Sequence, residues 1–171
     1  MWIFLFLFIY FNGDYVNKKY NKELIVSILI TLGIGIISAL ISRGGMMNYA
    51  SLNTPSFAPP GFLFPIVWTI LYILMGISSY LIYDSPDYNS SCCLIIYAIS
   101  LFINFLWSPI FFGLELRLFA FIWIILLDIV VIYMIWCYYG VNKKAAYLNI
   151  PYLIWCLFAT ILNYSVYILN R

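Results

Sequence analysis

Residues 48–76 read NYASLNTPSFAPPGFLFPIVWTILYILMG, and the fold follows from how this stretch changes character halfway along. Three prolines, Pro55, Pro59 and Pro60, stiffen its first half. Proline fixes φ and removes a backbone donor, so residues 54–60 are expected to run extended instead of helical. The chain then enters a long apolar helix carrying Trp68, Tyr72 and Met75. A stiff lid leading into an aromatic helical stripe suits the covering of a flat apolar ligand inside a membrane.

Composition outside this stretch agrees with a membrane setting. Of the 171 residues, 66% are hydrophobic and 8% charged, and the mean hydropathy is +1.04, far from soluble globular domains. An apolar run of about 20 residues crosses a hydrocarbon core of about 30 Å as a helix. Such runs occur at 24–41, 62–83, 92–112, 118–139 and 147–169. None alternates as a membrane β-barrel strand would, so the expected fold is an all-α bundle of five transmembrane helices, an integral multi-pass protein of the lipid bilayer. The loops between the runs are too short for a second core. One membrane domain is therefore expected over 24–171, preceded by an extension at 1–23.

The extension holds a short apolar segment, residues 2–11, only about half a span long. No positive region precedes it, so an interfacial or partly inserted segment fits better than a cleaved signal, with a sixth, short span or signal anchor as the alternative. With five spans, Lys18, Lys19, Lys22, Lys143 and Lys144 fall on one side, and Arg43, Arg117 and Arg171 on the other. The positive-inside tendency puts the lysine side toward the cytoplasm. A net charge of +2 argues against nucleic acid as a partner. The chain has no histidine, which removes the commonest haem ligand and the commonest general base together. Cys92, Cys93, Cys137 and Cys156 show no metal-ligand or redox spacing and read as small buried apolar side chains.

Four helices carry stripes. Ser27, Thr31, Gly35 and Ala39 recur every four residues on the first span, a small-residue face that lets helices approach closely. It could pack against another helix of the same chain or form a homodimer face. Trp68, Tyr72, Met75 and Ser79 share a stripe on the second span. Asn104, Trp107, Ser108 and Phe111 share one on the third, where Pro109 is expected to kink the helix. Trp155, Ala159 and Asn163 are spaced by four on the fifth. Amides are costly in lipid, so Asn104 and Asn163 should face the bundle interior. Three such stripes in one small bundle suggest a shared cavity. Asp128 lies at mid-membrane in the fourth span, where an ionised carboxylate is expensive, so it must be neutral, paired or facing water.

These motifs resemble the TspO/MBR family, the tryptophan-rich sensory and translocator proteins. The opening stretch is similar to the family pattern WYxSLxKPxWxPPxxxxxPxWxxLYxxMG. INFLWSPIFFG at 103–113 resembles LNxxWxPxFFG, and PYLIWCLFATILN at 151–163 resembles PYLxWxxFAxxLN. The three matches are separate and in order, and the resemblance covers roughly 24–170. It implies a membrane protein that binds porphyrins, protoporphyrin IX or haem, and sterols as a second ligand class, with no obligatory cofactor. It also implies a homodimer, as in bacterial relatives. The resemblance implies a ligand pocket at Trp68, Asn104, Trp107, Trp155 and Ala159 with Arg43 nearby, under a lid at 50–60, and the candidate site adds Tyr49, Phe57, Tyr72, Phe119 and Asn163. Stacking on Trp68, Trp107 and Trp155 would hold the ring, and Arg43 would meet the propionates.

The chain departs from the family where Asn48, Thr54 and Phe57 replace a lid Trp, Lys and Trp, and where Trp123 aligns with an acid. A cholesterol pattern, Leu162, Tyr167 and Arg171, occurs at the end of the fifth span, as in the family, but such patterns are weak. Transport, sensing and porphyrin breakdown have all been proposed for the family. No nucleophile–base pair or metal site is visible, so enzyme activity would rest on the resemblance alone. A small proton-coupled exporter built around Asp128 is the alternative, and a partner-binding scaffold a third.

Overall fold

A computed structural model describes residues 18–49 and 51–171; the apolar stretch at 2–11 lies outside the described residues. Among the described residues six α-helices follow in order: α1 (Lys18–Tyr49), α2 (Leu63–Tyr83), α3 (Ser90–Ser108), α4 (Arg117–Val141), α5 (Lys143–Leu148) and α6 (Ile150–Leu169). A π-helical turn, Pro109–Gly113, extends α3. Among the described residues five helical stretches are long and apolar enough to cross a membrane: Lys22–Gly45, Leu63–Tyr83, Ser90–Gly113, Arg117–Val141 and Lys143–Leu169. They coincide with the five runs expected from sequence, with ends shifted by no more than about one turn. No strand occurs among the described residues, and the fold is that of an all-α integral membrane protein.

Helix α1 is held by hydroxyls and small residues. Ser27 Oγ donates to the Gly76 carbonyl at 2.9 Å and lies 2.7 Å from Ser79 Oγ. The Thr31 hydroxyl, fully buried, is hydrogen-bonded to the Tyr97 hydroxyl at 2.8 Å. A Cβ on Gly35 would overlap the Tyr72 ring, and one on Gly76 would meet Ile28 Cα at 2.6 Å. Three members of the expected small-residue stripe therefore pack inside the protomer, against α2 and α3. Ala39 does not join them. Steps of four residues drift by about 40° each against a 3.6-residue helix, so the fourth member has rotated off the face. Steps of three and four carry the face on through Ser38 and Ser42, both buried, to Gly45, where a Cβ would overlap the Phe112 carbonyl.

The proline in the third span has a local compensation. Pro109 has no N–H to give the Phe105 carbonyl four residues back, and in lipid no water replaces it. Ser38 Oγ of α1 donates to that carbonyl at 2.8 Å. The chain then closes a wider turn, with the Leu114 amide donating to the Pro109 carbonyl at 2.9 Å. Helix α3 thus passes into a π turn at the position where a kink was expected. The fifth span is also interrupted. Asn142 caps α5 by accepting from the Lys144 and Ala145 amides at 3.0 and 3.3 Å. Pro151, in the first turn of α6, makes a fresh helix start after Asn149.

Candidate ligand-binding site

The loop from 51 to 62 contains no helix, as its prolines require. It is folded by turns, with the Ala58 amide donating to the Pro55 carbonyl at 3.0 Å and the Leu63 amide to Pro60 at 2.9 Å. Its far anchor is Asn170, just past α6. The Asn53 amide donates to Asn170 Oδ1 at 3.0 Å, and Asn170 Nδ2 donates back to the Asn53 carbonyl at 2.9 Å. One side-chain amide therefore clasps both polar groups of one loop residue, closing the lid across the bundle end.

Below the lid the aromatic stripes meet. Phe57 packs edge-on to Phe158 at 6.3 Å between centroids, Phe158 on Trp155 at 5.4 Å, and Trp155 on Phe64 at 5.9 Å. Phe64 touches Tyr49 at 6.3 Å, Tyr49 lies 6.2 Å from Phe111, and Phe111 stacks on Trp107 at 5.3 Å. One aromatic lattice so joins α1, the lid, α2, α3 and α6. Burial pushes the Tyr49 phenol above its ordinary pKa of 10.0.

A second layer lies deeper. Trp68 stacks on Tyr72 at 5.5 Å and meets Tyr152 edge-on at 6.3 Å. Tyr72 donates to Asn104 Oδ1 at 3.2 Å, and Asn104 Nδ2 donates to the Tyr152 hydroxyl at 2.8 Å. Asn104 is 4% exposed and Asn163 2%, so both amides face inward as lipid demands. Their situations differ. Asn104 is bonded on both sides, whereas both amide atoms of Asn163 are buried with no hydrogen-bond partner. The same holds for Trp107 Nε1, Trp155 Nε1 and the Tyr49 hydroxyl.

Most of the expected site residues come together here: Tyr49, Phe57, Trp68, Tyr72, Asn104, Trp107, Trp155 and, on the buried face of α6, Ala159 and Asn163. Two do not. Arg43 is exposed and forms no ion pair with a described residue. Phe119 is 47% exposed and leans on Trp123, whose Nε1 donates to the Ile103 carbonyl at 2.8 Å. The sterol pattern is split as well, with Leu162 buried in the core and Arg171 exposed. Tyr152, Phe64 and Phe158 were missed by the stripe argument. Tyr152 had a usable signal, since it lies three residues N-terminal to Trp155, within reach of the same helix face.

Asp128 is buried between α4 and α6. Thr160 Oγ1 donates to its Oδ2 at 2.7 Å and contacts the Cys156 carbonyl at 3.0 Å. Asp128 Oδ1 is buried without a partner. Among the described residues no cluster of His, Cys, Asp or Glu could hold a metal ion.

Five spans with buried amides and a packed aromatic interior under a loop define a multi-pass helical membrane protein. The chain belongs to the TspO/MBR family, whose model matches residues 27–169. It is 40% identical over 149 residues to the tryptophan-rich protein TspO of Archaeoglobus fulgidus, covering 86% of this chain and 97% of the relative. It is 36% identical over 138 residues to protein CrtK of Rhodobacter capsulatus, covering 80% and 85%. With the translocator protein of Homo sapiens it shares 33% over 140 residues, covering 80% and 83%.

Proposed function

We propose that this protein binds a flat tetrapyrrole, protoporphyrin IX or haem, under the lid between α2, α3 and α6, and serves tetrapyrrole handling, sensing or transport in its membrane. The observation that carries the reading is the group of buried polar atoms without partners: both indole N–H groups, of Trp107 and Trp155, and the whole amide of Asn163. Each such group costs about 1–3 kcal/mol when left unmade. Carboxylates at the edge of such a ring would accept from these N–H groups while its face lies on Trp68. The lid would open to admit it, because the rings of Phe57, Phe64 and Trp155 now pack together. Arg43 would need a different rotamer to reach a propionate. A homodimer would use a face other than the Ser27–Thr31–Gly35 seam, and sterol contact, if any, would involve Tyr167 and Arg171 without Leu162.

The test is a titration of protoporphyrin IX into purified protein in nanodiscs, followed by tryptophan fluorescence. Saturable quenching is expected at micromolar porphyrin, weakened in Trp68→Phe and Trp155→Phe. Absence of saturable quenching removes the reading. A second reading, a proton-coupled exporter, is favoured by the unpartnered Asp128 Oδ1.

A further inference from the structure

A groove of about 790 Å³ runs between α1, α2 and α3, away from the aromatic site and opening on the opposite side of the bundle from the lid. Its polarity changes in one direction. Lys22 and Glu23 line its mouth, at the start of the first span, beside Tyr83 at the end of the second. One and two turns deeper come hydroxyls, the Ser27–Ser79 pair and the Thr31–Tyr97 pair. The deep end is purely apolar, with Ile34, Leu101, Phe102 and Phe105.

The depth is informative. From Lys22 to Ile34 along α1 is about 18 Å at 1.5 Å per residue. Half of a hydrocarbon core is about 15 Å. The groove therefore begins at the membrane surface and ends near the midplane, serving one leaflet.

We propose that this groove is a site for a single zwitterionic aminophospholipid. The phosphate lies at Lys22 and the amine at Glu23, the glycerol esters sit at the level of the Ser27–Ser79 pair, and one acyl chain runs past the Thr31–Tyr97 pair into the apolar end. A cation and an anion side by side match a headgroup that carries both signs, and a purely anionic lipid would meet Glu23 unfavourably. Tyr83, 60% exposed at the mouth, has the place that amphipathic aromatics favour at the membrane surface. The assignment is independent of any tetrapyrrole.

The experiment is native mass spectrometry of the full chain extracted from nanodiscs containing equal parts of palmitoyl-oleoyl phosphatidylethanolamine, phosphatidylcholine and phosphatidylglycerol. The wild type is expected to retain one phosphatidylethanolamine at least tenfold over either competitor. Glu23→Gln should abolish the preference over phosphatidylcholine, and Lys22→Gln should lower retention of both. Ala98 is an exposed groove residue, so Ala98→Phe fills the space without touching the core and should abolish retention at unchanged thermal stability. Equal retention of the three lipids overturns the proposal, as does preferential retention of an added sterol. Undiminished retention in Ala98→Phe, or a loss of dimer without a change in lipid, overturns it too.

Discussion

At the scale of single residues, Asn170 has an influence out of proportion to its place at the chain's end. Its amide makes two hydrogen bonds to Asn53 and a third, from Nδ2 to the Val166 carbonyl at 2.8 Å. The two bonds to Asn53 are exposed, so each contributes only about 0.5–1.5 kcal/mol. That is enough to bias an open–closed equilibrium by roughly tenfold without affecting the core. Asn170→Ala is expected to speed amide exchange at Asn53 several-fold and to raise both porphyrin association and dissociation rates. The equilibrium affinity should move less than threefold, and the melting temperature little. Unchanged exchange at Asn53 would show that the lid is held by Phe57 and Phe158 instead. Nothing in the sequence marked this asparagine, because its partner is a backbone unit far away in the chain. Asn104 and Asn163 were legible for the opposite reason, since lipid leaves a buried amide only one direction to face.

At the scale of elements, α1 tests how far a repeat can be trusted. Spacing of four named Ser27, Thr31 and Gly35 correctly as a close-packing face but carried it one step too far, to Ala39. Two variants separate the true face from the apparent one. Gly35→Leu pushes a side chain into the Tyr72 ring and strains the bond from Tyr72 to Asn104. Overpacking of this kind costs about 1–3 kcal/mol. A lower melting temperature is expected, with the oligomeric state of the folded fraction unchanged by light scattering. Ala39→Leu, on the exposed side, should change neither. If Gly35→Leu dissociated an otherwise intact dimer, the seam would lie between protomers after all. The π turn after Pro109 was only half legible. Proline announces a break, but the repair by Ser38 depends on α1 lying alongside, which no local pattern records. The lipid-facing groove was illegible throughout, because it arises from how far three helices stand apart.

At the scale of the whole molecule, Asp128 decides between a binding protein and a carrier. A proton-coupled carrier must load and release a proton at this acid as access alternates between the two sides. Here Asp128 is 6% exposed, facing Thr160 on α6. The Thr160 hydroxyl has one proton and two acceptors, Asp128 Oδ2 and the Cys156 carbonyl. When that proton goes to the carbonyl, the carboxyl supplies its own to the Thr160 oxygen, and α4 and α6 are joined without charge. An asparagine amide donates in the same place, with the same size and no titration. Asp128→Asn is therefore expected to leave porphyrin affinity within threefold, a difference below about 0.7 kcal/mol. In liposomes bearing a pH gradient, the wild type is expected to show no gradient-driven porphyrin flux for the substitution to remove. Robust wild-type flux that Asp128→Asn abolishes would reverse this order. The interface between α4 and α6 would then have to part during each cycle, carrying the proton on the oxygen atom that now has no partner.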